Sequence, residues 1–295
     1  LNLTLNENLF EILILFFVGS YLIKILLLIY TNWYQAVYCF NFNKKLSNHF
    51  YQNYLNKNYF SLNDLSSSEF IRNSILEIDK LTEFLINNLR LITEVITFSI
   101  ITIFLFVYNF LPTLIVSLLI LFFLFFYYII LRSKILKIGL TKQKFENKKI
   151  QFLNSAFGGI KDIKMSFSEN YFFGKFNQFN SIIAEVMGKN ALYNILPRYL
   201  LEFILVVLLF IYLSFVKFTG LNFDSLSVAL PIYLLAFIRL FPSANKIIAS
   251  LQSMRLNKPS LNVVFKKIKE YQALSKKKNE ISKKIFLKKL ININI

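Results

Sequence analysis

Phe110–Leu131 reads FLPTLIVSLLILFFLFFYYIIL, and no Asp, Glu, Lys or Arg interrupts it. A helix crosses a hydrocarbon core with about 20 predominantly apolar residues, and there every backbone N–H must be bonded within its own segment. This run has that length. Its unbroken apolarity does not fit the two-residue alternation of a membrane β-barrel. Basic residues follow at once, at Arg132, Lys134 and Lys137. Four runs of the same character lie at about Leu9–Tyr30, Val95–Tyr108, Tyr199–Val216 and Leu226–Phe241. The expectation is an all-α membrane protein with five long transmembrane helices. A charged share of 17% and a mean hydropathy of +0.52 over 295 residues exclude an ordinary soluble domain.

The net charge of +18 is explained by where it sits. Residues 132–189 carry eleven Lys/Arg against four Asp/Glu, and 246–295 carry thirteen against two. The short connections 109–112 and 217–224 hold one Lys and one Asp between them. Basic residues concentrate in loops kept on the cytoplasmic side. The charge is therefore a topology signal for a multi-pass protein of the inner (plasma) membrane, with no nucleic-acid partner. Cys39 and His49 are each the sole residue of their type, which leaves no basis for an intrachain disulfide, a multi-His metal site or a Ser-His-Asp centre. No catalytic residue and no metal ligand is expected.

Helical periodicity outlasts the apolar runs. Ile71, Ile75, Ile78, Leu81, Leu85, Leu89 and Ile92 recur at three- and four-residue steps, with Arg72, Glu77, Asp79, Lys80 and Glu83 between them. A helix from Glu69 to Tyr108 spans about 60 Å, twice a hydrocarbon core of about 30 Å. The same overhang follows Leu131, through Ile150, Leu153, Phe157, Ile160, Ile163 and Phe167, with Gly158 and Gly159 weakening it locally. The membrane helices are expected at about 8–43, 69–108, 112–165, 173–217 and 224–271, the last one kinked at Pro231 and Pro242. Two hairpins, 44–90 and 132–189, then project into the cytoplasm, each with a break at its tip.

That layout resembles the transmembrane domain of an ABC exporter of the type IV, MsbA-like class, and is most similar to flippases of lipid-linked oligosaccharides. The resemblance is carried by Tyr54–Asp79 (YLNKNYFSLNDLSSSEFIRNSILEID), Gly158–Phe176 (GGIKDIKMSFSENYFFGKF) and Arg239–Pro259 (RLFPSANKIIASLQSMRLNKP). It implies a pair of six-helix domains around a central cavity, hence a second transmembrane domain, in a homodimer, as partner. It also implies a partner ABC ATP-binding domain that grips two short coupling helices, at about Asn56–Asp64 and Ser166–Phe173. Tyr59, Phe60, Tyr171 and Phe172 would supply aromatic anchors; Ser166 lies at the second tip, and Asp64, Asp162 and Glu169 would form a polar rim.

The class has six membrane helices, so one is expected before Leu1. No GxxxxGK[ST] phosphate loop occurs, so ATP and Mg are expected in an ATPase domain that is either fused, with 272–295 as a linker and the start of its first strand region, or separately encoded. The chain itself holds no cofactor. Ionisable residues at membrane depth are substrate-path candidates by default: Arg90, Arg198, Glu202 and Arg239. Arg90 with Glu94, and Arg198 with Glu202, have the four-residue spacing of a helical pair, whereas Arg239 has no nearby acid and suits an anionic headgroup. The expected activity is ATP-driven export or flipping of a lipid-linked or other amphipathic substrate by alternating access, with membrane lipid as a further partner. The alternative is a polytopic protein not driven by ATP, such as a secondary lipid flippase.

Overall fold

The computed structural model describes residues 7–56, 67–108, 110–219 and 240–272, and all the regular structure in them is helical. Helix α1 is Glu7–Leu55. Helix α2, Ser67–Ile71, passes through a π-helical turn, Arg72–Leu76, into α3, Glu77–Tyr108. Helix α4 is Phe110–Gly158, α5 is Ile160–Met165, α6 is Glu169–Thr219 and α7 is 240–272. Among the described residues three helices, over Ile14–Leu55, Glu69–Val107 and Ser117–Gly158, are long and apolar enough to cross a membrane. This is an all-α membrane protein. The Tyr199–Val216 run lies inside α6; Leu226–Arg239 and Pro231 fall outside the described residues.

The helices outrun a bilayer by a wide margin. The 49 residues of α4 measure about 74 Å at 1.5 Å per residue. On α1, exposed Tyr30, Trp33, Tyr34 and Tyr38 form an aromatic girdle, the composition that settles at a membrane–water boundary. Beyond it α1 does not stop near residue 43, as its polar sequence suggests, but runs on to Leu55. The cause is a second core outside the membrane level. Leu46 and Phe50 of α1 pack with Ile78 and Leu81 of α3 and Val264 of α7, and Phe50 meets Tyr271 edge-on at 5.3 Å. Asn43 Nδ2 donates to Asp79 Oδ1 and to Thr82 Oγ1, both at 2.9 Å, tying α1 to α3. The membrane-level core is separate, built from Phe98, Leu105, Ile120, Leu201, Leu240, Ala244 and Ile247.

The apolar stripe expected along 71–92 is broken by the π turn. An i→i+5 turn holds one residue more than an α turn and rotates what precedes it. Ile71 and Ile75 consequently face outward, while Asn73, Ser74 and Glu77 are buried. Two further boundaries differ from expectation. Gly159 leaves the helical region (φ −108°, ψ 26°), which ends α4 at Gly158 and makes Ile160–Met165 a separate helix. Helix α6 begins at Glu169, without a distinct short helix over 166–173.

Two close features fix α4, α6 and α7 together. Pro197 lies inside α6 and has no N–H, so the Tyr193 carbonyl four residues earlier loses its helical donor. Tyr127 Oη of α4 donates to that carbonyl at 2.7 Å and Gln252 Nε2 of α7 at 3.1 Å, so the freed acceptor joins three helices. About one turn along α7 from Gln252, Gly139 of α4 lies directly on the α7 backbone: a Cβ there would stand 2.3 Å from the Leu256 carbonyl oxygen.

Candidate functional site

The overhang is stitched by a polar seam along α3. Glu77 is fully buried; Gln143 Nε2 of α4 donates to its two carboxylate oxygens at 3.0 and 2.9 Å, and Arg72 Nε lies 3.8 Å away. Lys80 pairs with Glu146 of α4, Asn257 Nδ2 of α7 donates to Glu83 Oε2 at 3.1 Å, and Asn87 Nδ2 donates to Ser253 Oγ at 2.9 Å. At the top, Lys246 of α7 pairs with Glu94 at 2.8 Å. An apolar interface between helices tolerates sliding, whereas spaced hydrogen bonds set one register. The seam makes the overhang a rigid stalk.

The stalk of α4 and α6 ends in an exposed tip, residues 158–173. Below it, Phe152 stacks on Phe172 at 5.3 Å and meets Phe179 edge-on at 5.8 Å, so Phe172 braces the two helices rather than facing out. Ile163 is buried and roots α5. The turn after α5 is a Schellman arrangement: Ser168 N–H donates to Ile163 O at 3.2 Å and Phe167 N–H to Lys164 O at 3.4 Å. Its left-handed position, which favours glycine, is occupied by Phe167 at φ 49°, with 86% of the residue exposed. A left-handed non-glycine residue costs roughly 1–2 kcal/mol. Met165, Tyr171 and Phe173 are exposed beside it.

Ser166 Oγ donates to Asp162 O at 2.7 Å and shares a 2.8 Å contact with Ser168 Oγ, closing the turn. Lys164 Nζ meets Glu169 Oε1 at 2.9 Å. That hydrogen bond from Lys164 holds the Glu169 carboxyl below its ordinary range, with its own backbone N–H second. The pair therefore contributes above the ordinary carboxylate pKa and is lost as pH falls through the depressed value. A spin label at Met165→Cys, in a Cys39→Ser background, should gain mobility on acidification to below the ordinary carboxylate range, and Glu169→Gln should show that mobility at neutral pH.

The other candidate residues are dispersed. Arg198 pairs with Glu202 at 3.1 Å on an exposed face of α6. Arg90 is exposed and does not take Glu94, which Lys246 occupies; among the described residues its guanidinium has no partner. Tyr59, Phe60, Asp64 and Arg239 lie outside the described residues, as does nearly all of the first expected coupling segment. Sequence reasoning missed Met165, Phe167 and Phe173 as exposed groups of the tip. The available signal was the absence of Gly after α5 in KMSFSEN, which forces a side chain into the left-handed position. Among the described residues no cluster of three or more His, Cys, Asp or Glu is arranged to hold a metal. No protein-family model matches this chain.

Proposed function

We propose that this chain is the membrane-spanning subunit of an ATP-driven ABC exporter of the inner membrane, flipping a lipid-linked or other amphipathic substrate by alternating access. The observation that supports it is the rigid overhang ending in a strained, exposed apolar foot. Bare Phe167, Met165, Tyr171 and Phe173 in water are unfavourable unless a partner covers them. A backbone held in the left-handed region to present a phenylalanine is the kind of strain that accumulates where a partner docks. An ATP-binding domain closing against this foot would move α4 and α6 as one lever, because Phe152, Phe172 and Phe179 lock them. The seam would pass that motion to α3 and α7. The paired membrane domain and the Tyr59–Asp64 segment complete the reading.

The test is Phe167→Gly in the complete transporter. Glycine relieves the backbone strain, so the tip folds at least as well, while the anchor is removed. A buried aromatic anchor is worth about 2 kcal/mol or more. ATP-driven translocation should therefore fall about thirtyfold, and Phe167→Tyr should retain most of it. Full transport by Phe167→Gly would free the tip of this role. Transport by the unaltered protein with no dependence on ATP would remove the reading altogether.

A further inference from the structure

A groove with a volume of about 590 Å³ opens between α3, α4 and α7, lined by Phe98, Ser99 and Thr102 on one wall and Leu121, Phe125 and Tyr128 on the other. It lies within two of the helices apolar enough to cross a membrane. Its volume is within the range of about 300–1,000 Å³ that ligand pockets occupy. One end is charged. Tyr128 and Leu251 also line a second, smaller recess shared with Arg132, Gln252 and Arg255.

Arg255 is half-buried, and its Nε and Nη2 donate to Tyr128 Oη at 3.0 and 2.7 Å. A guanidinium has five N–H donors, so three are left over. A desolvated cation is normally matched by a carboxylate. Among the described residues neither Arg255 nor the exposed Arg132 has one. Tyr128 Oη, having accepted from Arg255, keeps its own O–H free to donate. Two guanidiniums without a carboxylate partner and a phenolic donor thus line a recess that shares Tyr128 and Leu251 with the apolar groove, at the level where the α4 apolar run gives way to Arg132, Lys134 and Lys137. The recess itself, about 10 Å³, is too small for a phosphate, so an anion would have to sit at its mouth.

We propose that this is a binding site for one anionic phospholipid of the surrounding membrane: the phosphate on Arg255, Arg132 and the Tyr128 hydroxyl, and an acyl chain in the groove. A guanidinium matches phosphate with paired N–H donors, and only a ligand that is both anionic and apolar satisfies both halves. The proposal does not rest on the transport reading, since a lipid binds here whether or not the protein moves a substrate.

The test uses the full chain in phosphatidylcholine nanodiscs with a minor fraction of spin-labelled phosphatidylglycerol or spin-labelled phosphatidylcholine. The immobilised fraction should favour phosphatidylglycerol. Arg255→Gln and the exposed, structurally safe Arg132→Gln should each cut that preference about tenfold, the loss of a charge-assisted hydrogen bond. Lys134→Gln, a neighbouring exposed cation outside the recess, should leave it intact. Ser99→Phe, which fills the groove, should lower the immobilised fraction of both lipids. The site is overturned by equal immobilisation of the two lipids in the unaltered protein, or by Lys134→Gln acting as strongly as the arginine variants. It is also overturned if Ser99→Phe has no effect, or if inorganic phosphate displaces the lipid as well as free phosphatidylglycerol does, since a free anion alone would then explain the arginines.

Discussion

Gly139→Ala is expected to lower the apparent melting temperature of the purified protein by roughly 6–12 °C, the consequence of about 3 kcal/mol at roughly 2–4 °C per kcal/mol. The added methyl carbon would sit 2.3 Å from the Leu256 carbonyl oxygen, 3.1 Å from its carbon and 3.3 Å from the Leu256 Cα. All three are backbone atoms of α7, so no side-chain rotation can make room. Relief requires α4 and α7 to separate by an ångström or more. That separation pulls on the bonds that hold α7 in register: Arg255 with Tyr128, Gln252 with the Tyr193 carbonyl and Asn257 with Glu83. The cost therefore stands at the upper end of what overpacking gives, about 1–3 kcal/mol. Gly188→Ala is the matched control, for nothing lies within 4 Å of its added carbon. Inside α6 it should be neutral or stabilising, by up to about 1 kcal/mol from helix propensity. Melting of the two variants within a degree of each other would refute the close crossing of α4 and α7.

The membrane class was legible because it depends on composition along one dimension. Phe110–Leu131 can be nothing but a spanning or deeply buried helix, and its basic flank is equally local. The overhang was legible for the same reason, since periodicity is counted along the chain. What sequence could not supply is register between helices. Pro197 is plain in the sequence, but not that Tyr127 and Gln252, 66 and 59 residues from Tyr193, would share the carbonyl it frees. Ile71 and Ile75 continue an ideal 3.6-residue stripe, and only the π turn, set by burying Asn73, Ser74 and Glu77 against neighbouring helices, turns them outward. Phe172 was readable as an aromatic of the tip, but its inward stacking on Phe152 depends on how α4 and α6 face each other. The Arg90–Glu94 spacing permitted a pair that Lys246, 152 residues from Glu94, takes instead.

Glu77→Ala should be the most damaging single substitution in the overhang. By sequence Glu77 is one of several charges between the isoleucines of an amphipathic helix, indistinguishable from Glu83. In the fold it has no exposed surface, and both its oxygens are engaged by Gln143 with Arg72 close by. Alanine leaves the Gln143 amide without its acceptor and a mostly buried Arg72 beside a void. Breaking a buried charged contact from one side costs about 3–5 kcal/mol, because the partner's desolvation is no longer offset. Glu77→Gln keeps the volume and one acceptor, and exchanges a charged hydrogen bond for a neutral one. That exchange should cost about 1 kcal/mol. The expected order of apparent melting temperature is therefore unaltered protein, Glu77→Gln, Glu77→Ala, with the last gap the widest. Combining Glu77→Ala with Gln143→Ala should cost less than the sum of the two, by about 0.5–3 kcal/mol, since each change alone already breaks the same bond. The exposed Lys189–Glu185 pair provides the contrast, and Glu185→Ala should leave the melting temperature where it is. Strict additivity of Glu77→Ala and Gln143→Ala would mean that the two side chains do not meet. The seam that joins α3 to α4 would then have lost its central fastening.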